Sequence, residues 1–266
     1  MKNEFYALSF QPEALEQLDQ ETLMTAIRVE AHVLDMIMQR PSAPGAGAHT
    51  RLQNFRRLTQ CYSQRFGDVQ PDLQWALRIA ALFQTYLESA GQASYPYEPL
   101  LRPEIREADF RQLVATRRSV RAFAGEAEDR QLEQIIAYGT WAPNSCNAQA
   151  LRYVVVKNPE IRRQLRTRGN HSIVAVLADL RFYSDGDIEC PCHDTGAAVQ
   201  NMLLGCHVLG LGACYMTDLA INGEKYRTLL QVAPYEKITA LLWIGQCQQQ
   251  ALAPVRRQPA EVVRYL

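Results

Sequence analysis

Residues 172–180 read SIVAVLADL, an apolar run with the character of a β-strand. Two further runs share that character, RYVVVK (152–157) and ITALLWIGQ (238–246). Around them lie helical periodicities near 106–118, 129–140, 160–168, 194–210 and 223–231. Strands alternating with helices argue for a sheet covered by helices.

Ahead of residue 105 the chain reads as helix alone. Leu15, Leu18, Ile27, Leu34 and Met38 recur at helical spacings up to about residue 40. RPSAPGAGAHT (40–50) breaks the pattern with Pro and Gly and is expected to be a mobile loop. Helices are expected near 51–64 and 71–90. Pro71 with Asp72 suits the second start, and Leu73, Ala76, Leu77, Ala80, Ala81 and Phe83 supply its apolar stripe. GQASYPYEPLLRPE (91–104) reads as a linker. The expected division is a helical region over 1–104 and a sheet-and-helix domain over 105–266. Neither an internal repeat nor a low-complexity tract is present.

The chain carries 28 basic and 28 acidic residues in 266. A net charge of zero supplies no field for nucleic acid. No run of about 18 apolar residues predicts a spanning helix. The N-terminus, MKNEFYALSFQPEALEQ, lacks an apolar export core, so a cytoplasmic protein is expected. The seven cysteines are odd in number and mostly sit in apolar or helical runs. They read as reduced thiols. Cys190, Cys192 and His193 form one tight cluster, but zinc needs about four ligands and no distant second pair has the right spacing. No metal site is expected.

Three segments carry candidate chemistry. In the helix before RRSVR (117–121), Phe110, Leu113, Val114 and Arg117 share one face. An arginine on an apolar stripe calls for an anion. Beyond Ser119 the chain is expected to extend, so that Ser119, Arg121 and Phe123 point one way and Val120 and Ala122 the other. Arg117, Ser119 and Arg121 then converge on one ligand, guanidinium forks and a hydroxyl suiting phosphate and polyol oxygens. A solvated basic helix end is the alternative. In APNSCNAQALRYVVVK (142–157), Asn144, Ser145, Asn147 and Gln149 lead into a strand. Their amides suit the edge of a heterocycle, although Pro, Asn and Ser also make ordinary turns. In HDTGAAVQNMLLGCHVLGLGACYM (193–216), Asp194 or Thr195 can cap a helix striped by Val199, Met202, Leu203, Cys206 and Leu209. Gly210 ends that helix, Gly212 permits close backbone packing, and His207 lies off the stripe.

These segments, in this order, resemble the FMN-dependent nitroreductase superfamily. The similarity lies in RRSVR-x-F (117–123), APNSCNAQ (142–149), D-x-G-A-A-x-Q-N-M-L-L (194–204), L-G-L-G-A-C (209–214), LLWIGQ (241–246) and RRQPAEVV (256–263). It covers about 105–266. The helix IRVEAHVLDMIM (27–38) is similar to one that precedes this domain in nitroreductase-like proteins of polysaccharide gene clusters, with Asp35 and Met36 replacing a usual Glu-Lys pair.

The resemblance implies an α+β sandwich, a mostly antiparallel sheet flanked by helices, with an N-terminal helical extension. It implies FMN held by Arg117, Arg118 and Ser119 at the phosphate and ribityl chain, with Arg121 at the pyrimidine side. Met216 and Thr217 would lie near N5, and Arg256 and Arg257 would return to the phosphate. Pro143, Asn144, Ser145 and Asn147, with Gln149, would come from the other subunit. A homodimer follows, its central interface the helix 194–210. The implied activity is ping-pong hydride transfer from NAD(P)H through FMN to a small organic acceptor, with no side-chain nucleophile. A non-catalytic flavin-binding dimer is the alternative. The segment from Lys157 to His171 is short, so the usual helical excursion over the flavin is missing and the N-terminal region is a candidate to replace it.

Overall fold

A computed structural model describes residues 12–39, 44–93, 95–96, 103–165, 169–183, 189–217, 219–249 and 251–266. The expected loop at 40–50 and linker at 91–104 fall partly outside these residues. The N-terminal part is a helical turn, Pro12–Leu15, followed by α1 (Gln20–Met38), α2 (Ala48–Phe66) and α3 (Pro71–Glu88). Asp19 caps α1 by accepting from the Thr22 amide at 2.8 Å. Leu15, Leu18, Ile27, Leu34 and Met38 are all buried, with Phe55, Tyr62 and Phe83 from the other two helices, in one core. On α3 the inward stripe is narrower than the sequence suggests. Leu73, Ala76, Ala80 and Phe83 face in together with Ile79, while Leu77 and Ala81 face out. Three helices in mutual contact need only the central positions of each stripe.

The remainder is an α+β sandwich. After α4 (Glu107–Thr116) come β1 (Ala122–Glu126), α5 (Asp129–Thr140), β2 (Leu151–Val156), α6 (Pro159–Gln164), β3 (Ser172–Asp179), α7 (Cys190–Val208), β4 (Leu211–Met216), α8 (Glu224–Leu229) and β5 (Glu236–Gln249). Every strand pair is antiparallel. The long β5 organises the sheet. One edge pairs with β3 and then β1, the other with β4, and β2 lies beyond β3. β3 is buried along its whole length because both faces are covered. Val174 and Val176 meet α5 and α7 through Leu132, Ile135, Val199 and Met202. Ile173, Ala175 and Leu177 meet Leu165, Ile221 and Leu230 on the other face. That two-residue alternation makes a three-layer structure.

Four expectations need correction. α4 buries no residue. Its supposed core stripe is open in the single chain, with Phe110 54% and Val114 46% exposed. The strand runs read from the sequence do not include Leu211–Met216, which β4 occupies. Its small residues conceal a buried strand, because they make room for Val120. Phe123 does not point with Arg121. Register shifts on either side of it turn its ring inward. Finally, α7 begins at Cys190 with Pro191 in its first turn. Asp194 and Thr195 therefore lie inside the helix rather than at its cap. Thr195 donates to the Pro191 carbonyl at 2.7 Å and to the Thr239 hydroxyl at 2.8 Å.

The helical part docks on the sheet through α1. Val29 packs with Ala148, Ala150, Ala178 and Tyr183. Glu21 pairs with Arg152, and Arg181 reaches Asp19 at 3.3 Å while its guanidinium lies 3.7 Å from the Tyr235 ring centroid.

Gly212 sets the position of the segment after α4. A Cβ there would lie 2.7 Å from a Val120 methyl, so only glycine lets Val120 donate its amide to the Ala213 carbonyl at 2.9 Å. Gly212→Ala is expected to cost about 1–3 kcal/mol through overpacking, read as a lowered urea midpoint at unchanged slope.

His171 is 1% exposed, stacked between Phe123 at 4.9 Å and Trp243 at 5.0 Å. Neither ring nitrogen has a hydrogen-bond partner among the described residues. Burial first, and the Arg162 charge second, hold its pKa below the usual histidine value. The neutral ring is the form that packs. Its contribution is therefore complete above about pH 6.5, where unfolded histidine is neutral. It is lost as pH falls through the lower native value. Melting temperature should drop between pH 7 and 5, and His171→Phe should flatten that slope.

Candidate functional site

Two groups of candidate residues lie on different parts of the chain. The first follows α4. Arg117 is its C-cap, half-buried and already extended at φ −57° and ψ 136°. Ser119 forms a parallel bridge to Ala213 on β4. These contacts fasten the basic segment to the edge of β4 that does not pair with β5. Arg117 and Arg121 both act electrostatically on the Cys214 thiol, lowering a pKa that burial raises more strongly. Arg117 is half-buried and Arg121 is exposed. Neither is paired with a carboxylate among the described residues. Arg118 is turned differently, with Nη1 donating to the carbonyls of Ala115 at 2.6 Å and Arg117 at 2.8 Å. It closes the C-terminus of α4, as a cation at a helix end does. A small cavity of about 210 Å³ lies here, lined by Arg117, Arg118, His207 and Cys247. His207 Nε2 meets Thr116 Oγ1 at 2.8 Å.

Met216 ends β4 and is half-buried, and Thr217 beside it is exposed. Arg256 and Arg257 are not brought to Arg117 within one chain. Every residue from Ala251 to Leu266 is exposed. Arg257 only donates to the Glu261 carbonyl at 2.6 Å, within its own turn.

The second group is the segment 142–149. Cys146, Asn147 and Gln149 have φ of 51°, 52° and 54°, three non-glycine residues in the left-handed region within four positions. Such backbone persists only where surrounding contacts over-determine it. The restraint is Asp194, buried on α7. Its carboxylate accepts from the Ser145 amide at 3.0 and 3.1 Å, from the Ser145 hydroxyl at 3.0 Å and from the Tyr183 hydroxyl at 3.0 Å. Burial and that carboxylate push the Tyr183 phenol pKa strongly upward, so it remains a donor. Asn144 Oδ1 accepts from the Gln149 amide at 2.8 Å and closes the loop. Pro143, Cys146 and Gln149 face solvent, and Trp141 is 87% exposed. Asp194, read from sequence as a cap, is the residue that shapes this loop. Its place in D-x-G-A-A was the available signal.

Cys190, Cys192 and His193 lie in the first turn of α7, where His193 approaches Glu189 at 4.0 Å. Among the described residues no group of three or more His, Cys, Asp or Glu side chains is placed to hold a metal. No helix among them is long and apolar enough to cross a membrane.

Comparison with known proteins identifies this architecture. A family model described as the nitroreductase family matches residues 114–170 and 167–246, together half of the chain. A curated NADH dehydrogenase/NAD(P)H nitroreductase of Archaeoglobus fulgidus is 26% identical over 113 residues, 39% of this chain. The match spans 64% of that relative's length. A Desulfovibrio desulfuricans protein of nitroreductase type, solved in complex with FMN, superposes with a TM-score of 0.53 at 26% identity, over 58% of this chain and 95% of its own. Nitroreductase A of Vibrio parahaemolyticus shares the fold with a TM-score of 0.51 at 23% identity, over 58% of this chain and 74% of its own. The match takes in the motifs from RRSVR to LLWIGQ, and the chain belongs to the nitroreductase family.

Proposed function

We propose that this protein is an FMN-dependent NAD(P)H oxidoreductase acting as a homodimer on a small organic acceptor. The observation that carries the reading is the fastening of the RRSVR segment to β4 through Ser119 and Val120, with Arg117 and Arg121 left without carboxylate partners among the described residues. Two guanidinium groups flanking a hydroxyl in sequence, Ser119, suit a phosphorylated ligand with polyol oxygens. FMN would supply hydride chemistry, accepting from NAD(P)H and passing electrons to the acceptor in a ping-pong cycle.

The chain's own residues bind and orient. Arg117 and Ser119 hold the phosphate end, with Arg118 shaping that end through the α4 carbonyls. Arg121 places a cation at the pyrimidine side, where it favours the reduced, more negative form. Met216 and Thr217 border the reacting edge. The loop Pro143, Asn144, Ser145, Asn147 and Gln149 packs on the ring of the partner protomer, and Arg256 and Arg257 approach the phosphate across the interface. Two features support a dimer. Arg117 and Arg118 line one cavity of the chain and Pro143, Asn144 and Gln149 another. Phe110, Val114 and Val208 also leave an apolar surface open beside α4 and α7. We also propose 1–104 and 105–266 as the two structural units.

Three outcomes test the reading. Purified protein should be yellow and bleach with NADH or NADPH under anaerobic conditions. A colourless chain that ignores added FMN would instead favour a non-catalytic interaction module. Arg117→Ala should lose FMN at least tenfold more readily in dialysis while keeping its circular dichroism. Stoichiometric flavin in that variant would refute the phosphate assignment. Sedimentation should give twice the 30.2 kDa chain mass, and Phe110→Asp with Val208→Asp should shift it to the monomer.

A further inference from the structure

A larger cavity, about 430 Å³, lies between the N-terminal helices and the family domain. Its size falls within the range of small-molecule sites. One wall comes from α1, α2 and the start of α3, the other from the end of α5, the loop 142–149, β2 and α7. Neither half of the chain forms it alone.

The charges around it are already matched. Arg28 meets Asp72 at 2.5 Å, Arg152 pairs with Glu21, and Asp194 is occupied by Ser145 and Tyr183. An ionic guest would lose its hydration without gaining an unmatched counter-charge. What remains open is a set of hydrogen-bond donors. The Tyr153 hydroxyl has no hydrogen-bond partner among the described residues, and burial raises its pKa to about 12, so it keeps its proton. The Tyr62 hydroxyl accepts from Gln20 at 2.9 Å and retains its own hydrogen to give. Arg28 Nε, at the same wall, is buried without a partner. Met24, Leu151 and Ala198 supply apolar surface between these polar groups.

We infer that this cavity is a binding site for an uncharged, partly apolar small molecule with a carbonyl-type acceptor, held between Tyr153 of the family domain and Tyr62 of the N-terminal helices. The N-terminal region thereby gains a role as half of a selective pocket. Its floor includes Pro143, Asn144 and Gln149, so a molecule seated there touches the strained loop directly. Because Pro143, Asn144 and Gln149 are also proposed to meet the partner protomer's flavin, the inference is tested with flavin absent.

The test uses the purified full chain without flavin and without turnover, with ligand-observed NMR titrations of benzamide, benzoate and benzylamine. These probes share a ring and differ in charge. Benzamide should bind at least tenfold more tightly than either ion. Tyr153→Phe and Tyr62→Phe should each weaken benzamide about fivefold, the effect of one hydrogen bond. Neither change removes apolar packing, and circular dichroism verifies the fold of both. Benzamide bound no better than the ions, or equally well by both Phe variants, overturns the assignment. Because no flavin is present, such a failure leaves the oxidoreductase reading untouched.

Discussion

One buried carboxylate, Asp194, holds together the parts of this protein that do not follow from regular secondary structure. It sits on α7, the helix that covers one face of the sheet, and it accepts from Ser145 and Tyr183. Hydrogen bonds to an ionised acceptor in a dry setting are stronger than neutral ones. Their sum holds three residues in left-handed backbone, a conformation costing about 1–3 kcal/mol each. The loop's shape is therefore held by contacts within the chain itself. Rigid placement is what a site needs if it is to contact a flat ring without an ordering cost.

A second constraint acts at the opposite end of α7. Gly212 allows Val120 to reach the Ala213 carbonyl, and that contact together with the Ser119 bridge ties the middle of RRSVR to β4. The basic segment is thus not a loose helix end. It is stitched to a strand whose other edge pairs with β5, the strand that joins the whole sheet. A site built on sheet residues inherits the stiffness of the sheet. Both constraints meet the same helix, so the two groups of candidate residues sit on one rigid frame.

The N-terminal helices add to that frame rather than hanging from it. They own a core, yet they also bury Val29 against the sheet edge and match Asp19 and Glu21 with arginines of the domain. Charged pairs at such a junction fix register more than they add stability. The consequence is a defined gap between the two parts, which is where the larger cavity lies.

The amino-acid order alone settled much of this. The runs at 152–157, 172–180 and 238–246 named three of five strands, because apolar β-rich segments between helices have few other solutions. The motif RRSVR located the basic cluster, and APNSCNAQ located the polar loop. Three features depended on tertiary contact. β4 hid among small residues whose purpose is visible only beside Val120. The stripe on α4 faced outward because amphipathicity specifies an apolar face and not what covers it. Asp194 read as a helix cap because local spacing cannot reveal a hydrogen bond spanning 49 residues, and the pocket against the N-terminal helices exists only once both halves of the chain are folded together.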